Sequence, residues 1–263
     1  MTQQVEAARP PAGNRSWYRK IALFGVALVL MFPIILTIGL IIGEEYEALI
    51  FTAVVAVIAL AVGAVLLFLG RWWPIVGIIG GLAAAGSSLE FVAFSIEHFD
   101  SFFDFTTTIF PLVGGILLIV GSALALWDER KEPVATQAPA AWQTSMLGIT
   151  GVLAAVSVIS LILTLTGFDS VSDEERAAAD TVVEMKQTEF EPDVIEVSAG
   201  EIAVVVENDD PIVHTFTIDD LDVDEDLGAS DEKFIEFSAE PGEYELKCDV
   251  PGHESMDAII RVQ

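Results

Sequence analysis

The segment Cys248-Asp-Val-Pro-Gly-His253-Glu-Ser-Met256 carries a thiol, then an imidazole five residues on, then a thioether three beyond that. Pro251 and Gly252 between them turn the chain, so the segment can fold around one centre. His214, 34 residues before Cys248, supplies a second imidazole. Two imidazoles, one thiolate and one thioether are the donors of a one-electron copper site, with His214, Cys248 and His253 in a plane and Met256 on a long axial bond. Soft sulfur favours Cu(I) and nitrogen suits Cu(II), so a site that fully satisfies neither state rearranges little when an electron passes. Each residue alone has a plainer reading: a buried Cys as a small apolar side chain, a Met as gap filler, a His as a satisfied core residue. Those readings leave unexplained why all four donor types occur in this order and spacing.

The elements that must position these donors read as strands. Ile202, Val204 and Val206 alternate with more polar neighbours, as do His214, Phe216 and Ile218, then Tyr244, Leu246 and Cys248, then Ala258, Ile260 and Val262. Such period-two runs, separated by Gly, Pro and Asp turns, are half-buried strands, and about 80 residues of them make a small antiparallel sandwich. The alternation sends Cys248 inward with Leu246 and leaves Glu243, Glu245 and Lys247 facing water. The single Cys excludes an intramolecular disulfide.

Residues 181–263 resemble the cupredoxins, the plastocyanin- and azurin-like type 1 copper proteins. Besides the Cys248–Met256 loop, Phe190-x-Pro192-x-x-Ile195-x-Val197-x-x-Gly200 is similar to the opening strands of that family. Asn208 to Ile218, with His214-Thr-Phe-Thr-Ile, resembles its first-histidine region, and Pro241-Gly-Glu-Tyr244 its turn into the cysteine strand. The resemblance implies a Greek-key sandwich, one copper ion and electron passage through the exposed edge of a ligand histidine, His253. The loop departs from the family in having two residues between His253 and Met256, where azurin-like loops have three; plastocyanin spaces its cysteine and histidine more closely. Asp257-Ala258 also stands where related sequences often have a glycine. These departures bear on the axial distance and hence on the potential.

The rest of the chain is of another kind. Residues 168–263 hold 29 Asp or Glu against 5 Lys or Arg, whereas the first 167 hold 11 against 7 and nearly all the long apolar runs. A formal net charge of −28 over 263 residues argues against nucleic-acid binding, since phosphates would be repelled. Five apolar stretches, Ile21–Gly43, Ala48–Leu69, Pro74–Phe94, Thr107–Trp127 and Met146–Gly167, are long enough to cross a bilayer. The first is too long for a signal peptide's apolar region and is read as a retained helix. Pro33 and Pro111 should bend or begin their helices, and Gly77, Gly80 and Gly81 permit close helix packing. Trp72, Trp73 and Trp127 sit where interfacial aromatic belts belong.

Arg9, Arg15, Arg19, Lys20, Arg71, Arg130 and Lys131 all fall on one side of these spans, while Glu44, Glu45, Glu47, Glu97, Asp100 and Asp104 fall on the other. The positive-inside rule then puts the N-terminus in the cytoplasm and the acidic domain outside the cell membrane. Glu90, the one acidic residue well inside a span, is a functional candidate by default; the plainer and preferred reading is that it reaches the interface near the outer end of the third helix. His98 is the only histidine of this half, so a haem held by two histidines between helices is excluded.

The expected organisation is a membrane α-helical bundle followed by an all-β cupredoxin Greek-key sandwich: tail 1–20, five transmembrane helices within 21–167, acidic linker 168–180 and copper domain 181–263. The linker reads as a tether or the end of a projecting helix. The function expected is a membrane-anchored carrier of single electrons, working with membrane or extracytoplasmic redox proteins. The alternative is a copper-binding protein for acquisition, delivery or sensing. Neither is an enzyme: a dinuclear copper centre of the oxidase-subunit type needs two cysteines, and multicopper oxidases or copper nitrite reductases need histidines beyond His214 and His253. The acidic loop Asp219–Asp226 suits either a basic docking partner or a solvated surface in concentrated salt.

Overall fold

The computed structural model describes residues 15–42, 46, 49–128, 140–167 and 169–263. Arg9, Glu44, Glu45, Glu47, Arg130 and Lys131, most of the expected N-terminal tail and most of the loop before the fifth span lie outside them. Helices α1 (Arg15–Ile42), α2 (Leu49–Phe68), α3 (Trp73–Ser88), α4 (Val92–Glu97), α5 (Phe102–Asp128) and α6 (Ala140–Thr166) come first. Five spans among the described residues are long and apolar enough to cross a membrane, with α3 and α4 forming one of them. A 3₁₀ turn, Leu89–Phe91, interrupts that span where one continuous helix was expected, and Glu90 lies exposed on this turn. The fourth span also starts earlier than expected. Asp104 sits in the first turn of α5 rather than in a loop, a position where the helix dipole favours a carboxylate. Pro33 and Pro111 both fall inside helices.

The chain forms two compact units. The first comprises Met1–Met31, Ala56–Ser87 and Phe110–Val152. Its helices meet backbone to backbone: a Cβ on Gly25 would lie 2.5 Å from the Gly114 carbonyl oxygen, and one on Gly81 2.6 Å from that of Gly115. Only glycine permits this approach, and with it α5 packs against both α1 and α3. Trp73 departs from its expected interfacial place. It is fully buried among Ala22, Val26, Leu66, Leu118 and Ala125, with the Arg19 guanidinium 5.3 Å from its ring. Trp72 and Trp127 are exposed, as an aromatic belt requires.

The second unit comprises Phe32–Val55, Ser88–Ile109 and Leu153–Gln263. After α6 comes a short helix, α7 (Asp173–Ala178), in the stretch expected as linker. A capping box between Ser172 and Glu175 starts it, and Arg176 ties it to Glu207 and, at 2.8 Å, to Glu232.

Nine strands follow: β1 (Thr181–Lys186), β2 (Glu189–Glu191), β3 (Val194–Val197), β4 (Gly200–Asn208), β5 (His214–Ile218), β6 (Val223–Leu227), β7 (Glu232–Ala239), β8 (Gly242–Lys247) and β9 (Asp257–Val262). They form two sheets, ordered β2-β1-β4-β7 and β3-β9-β8-β5-β6. The sandwich is mixed rather than purely antiparallel, because β1 pairs with β4 and β3 with β9 in parallel. Its core gathers Val183, Met185, Ile195, Ile202, Val204, Val206, Phe216, Ile218, Leu246 and Ile260 between the sheets. β5 is buried on both faces rather than one, and Thr217 meets the cost of its buried hydroxyl by bonding to Thr215 and to Asp224.

Candidate metal centre

The four donors come from three places in one sheet. His214 opens β5, Cys248 directly follows β8, and His253 and Met256 lie on the loop into β9. β8 is the strand between β9 and β5, so its C-terminal end lies next to both partners. Along β8 the burial alternates as the sequence implies: Leu246 and Cys248 are buried, Glu243 and Glu245 exposed.

The loop is closed on itself. The Cys248 amide donates to the Met256 carbonyl at 3.0 Å, the Met256 amide to the His253 carbonyl at 2.8 Å and the His253 amide to the Val250 carbonyl at 3.0 Å. Gly252 turns it at φ +94°, a conformation that side chains with a Cβ rarely adopt.

His214 and His253 both aim Nδ1 at the thiol, 3.8 and 3.6 Å from Cys248 Sγ. A first-row ion with bonds of about 2.0 Å to imidazole and about 2.3 Å to thiolate, spread in a plane, separates such donors by about 3.7 Å. The spacing therefore fits one ion. Met256, on the same loop, is fully buried. His214, Cys248, His253 and Met256 cluster as a type 1 copper site.

A frame of hydrogen bonds surrounds the donors. Asp210 Oδ2 lies 2.8 Å from His214 Nε2, with both side chains buried, which leaves Nδ1 facing the thiol. Asp210 is itself held by the amides of Gln187 and Thr188, and its own amide donates to Asn208 Oδ1. The Asn208 amide group reaches the carbonyls of Ile212, Leu227 and Gly228. The Thr215 amide points at Cys248 Sγ from 3.4 Å, and its hydroxyl accepts from the Asp249 amide at 2.7 Å. Asp210 lies within the family-like stretch Asn208 to Ile218, but the sequence does not single it out. Nothing in composition separates that carboxylate from Asp209 beside it; its place four residues before a donor histidine is the one available signal.

The electrostatics match the geometry. Burial works to raise the Cys248 thiol, but contacts from His214 and His253 and the amides of Thr215 and Val250 more than offset it, bringing it from 9.0 down to about 6. Burial likewise works against charge on His214, yet Asp210 and the Cys248 thiolate raise it from 6.5 to about 9. For Asp210, burial acts upward and is outweighed by the bonds from His214, Gln187 and Thr188, so its carboxyl stays below its ordinary value. Several acidic groups of the 219–226 stretch have partners within the domain: Asp219 meets Lys247 at 2.7 Å and Glu225 meets Lys233 at 3.1 Å.

A family model described as a cupredoxin-like domain matches residues 155–260. The C-terminal part of the chain is a cupredoxin-like domain. The match begins within α6, ahead of the first strand. Among solved structures, the chain is similar to a copper-containing nitrite reductase from Thermus scotoductus SA-01 at 28% identity and TM-score 0.26, over 32% of this chain and 22% of that one. The chain thus spans about a fifth of the reductase. An oxidised amicyanin mutant is 19% identical with TM-score 0.29, over 36% of this chain and 90% of amicyanin. A chain of a heme-copper terminal oxidase dimer is 14% identical with TM-score 0.29, over 46% and 99%. No curated protein matches the chain.

Proposed function

We propose that the protein is a membrane-anchored carrier of single electrons, with its cupredoxin-like domain on the outer face of the cell membrane. The observation that carries this reading is the donor set itself: two Nδ1 atoms at 3.6 and 3.8 Å from one Sγ, with a buried Met256 on the same loop as His253. Mixed imidazole, thiolate and thioether donors suit copper in both of its valences.

His214, Cys248, His253 and Met256 would hold the ion. Copper, when bound, would supply a one-electron Cu(I)/Cu(II) couple. Asp210 keeps the proton of His214 on Nε2, and the Thr215 amide stabilises negative charge on the thiolate. His253 is only partly buried, so its edge is the shortest path to a partner's redox centre. The orientation is supported by Lys20 near the start of α1 and Arg71 between α2 and α3, which lie over Trp17 and Trp72. Cationic residues on such aromatic anchors mark the cytoplasmic side. Anchoring confines the domain near membrane redox proteins and raises its effective concentration there.

Copper-loaded full-length protein tests the reading. The expected result is an intense visible sulfur-to-copper band, absent in Cys248→Ser, and reversible one-electron voltammetry. A bound ion that exchanges freely with chelators and shows no reversible couple would instead favour copper delivery.

A further inference from the structure

Within the second unit, residues 88–109 of the helical half lie against the frame of the copper site. Asp104, in the first turn of α5, accepts a hydrogen bond at 2.9 Å on Oδ2 from the amide of Val213. Val213 is buried and immediately precedes His214, the first residue of β5, so its amide has no strand partner. The Ser101 hydroxyl donates to the same oxygen and fixes the carboxylate's direction.

Other contacts accompany this one. Phe94 packs against the domain core, and a Cβ on Gly252, beside His253, would lie 3.7 Å from the Phe91 ring. His98 Nε2 lies 3.5 Å from Asp226 Oδ2, and Asp226 is the register partner of Thr215 across β5 and β6. The helical segment therefore bonds the residue before His214, lies close to the turn before His253 and meets the strand opposite Thr215.

We infer that Asp104 is a positioning residue of the copper site: by holding the Val213 amide it fixes the backbone from which the His214 imidazole projects. A buried amide left without an acceptor is costly, so the chain around residue 213 would shift to find another. His214 Nδ1 would move with it. The helical segment then acts on the site through Val213 and His214 as well as anchoring the domain.

The inference rests on the copper reading of the site, and its test separates the two. Full-length wild type, Asp104→Leu and Asp104→Asn are loaded with copper and compared by visible and EPR spectroscopy and by chelator competition. Leucine offers no acceptor, so the sulfur-to-copper band and copper hyperfine splitting should change, with affinity falling about tenfold, the low end for loss of an outer-shell partner. Asparagine keeps an oxygen for Val213 and should retain the wild-type spectrum. An Asp104→Leu spectrum identical to wild type overturns the inference and leaves the carrier reading intact; equal change in both variants also overturns it, since charge and not the bond would then matter. A wild type that takes up no copper overturns both. Should the leucine variant fail to fold, hydrogen exchange at the Val213 amide of wild type decides. Slow exchange supports the bond, and exchange as fast as an exposed loop overturns it.

Discussion

Asp210 and His214 stand four residues apart and face each other at 2.8 Å, carboxylate to Nε2, with neither side chain exposed. The contact selects the tautomer that presents Nδ1 to a metal, and it places a fixed negative charge behind the ligand. Asp210→Ala should therefore weaken copper binding by about 10- to 100-fold, as loss of a histidine's outer partner commonly does. It should also raise the reduction potential, because removing negative charge disfavours Cu(II) more than Cu(I). Chelator competition and voltammetry on the full-length protein read both.

Proton release on copper binding follows from the opposed shifts of Cys248, lowered to about 6, and His214, raised to about 9. Between those values the metal-free site holds thiolate beside imidazolium. An incoming ion must then displace the Nδ1 proton of His214 but none from Cys248, so this pair releases about one proton near pH 7.5. As pH falls through about 6 the release grows, because the thiol must also lose its proton. As pH rises through about 9 it declines, because His214 is already neutral. Titration calorimetry in buffers of different ionisation enthalpy counts these protons; a release that grows from pH 7 to pH 10 would contradict the assignment.

Asn208 links the frame of the site to stability. Its amide group meets the carbonyls of Ile212 at 2.8 Å, Leu227 at 3.1 Å and Gly228 at 2.8 Å, and its side-chain oxygen receives the Asp210 amide at 3.0 Å. Asn208→Ala leaves several of these buried groups unpaired and should destabilise the domain by at least about 2 kcal/mol. Urea unfolding followed by loss of the visible copper band would show the midpoint moving down. Copper affinity should fall too, since the Asp210 backbone loses one of its anchors.

The four donors were legible because their side-chain chemistry is rare in combination and their order is local, three of them within nine residues. The strands around them were legible from period two, and the five spans from continuous apolar length. Partners chosen by three-dimensional proximity were not. Asp210 is one carboxylate among many, Asp104 stands 109 residues before Val213, and the parallel pairing of β1 with β4 leaves no mark in either strand. Trp73 misled because an indole at a helix start suits an interface and a packed core equally; its neighbours Ala22, Val26 and Ala125, small enough to admit it, come from other helices.

The role of Met256 separates geometry from potential. Its backbone holds the loop through the Cys248 amide and the His253 carbonyl, whereas its side chain contributes only a thioether. Met256→Leu conserves volume in a fully buried position, so it should cost less than about 1.5 kcal/mol and leave the loop in place. The three remaining donors should retain copper and its visible band. The potential should rise, since losing an axial donor removes electron density that favours Cu(II). Voltammetry of the copper-loaded variant measures the shift. An unchanged potential with an unchanged spectrum would mean that Met256 fills the core without approaching the metal, and that the short spacing after His253 has taken the thioether off the axis.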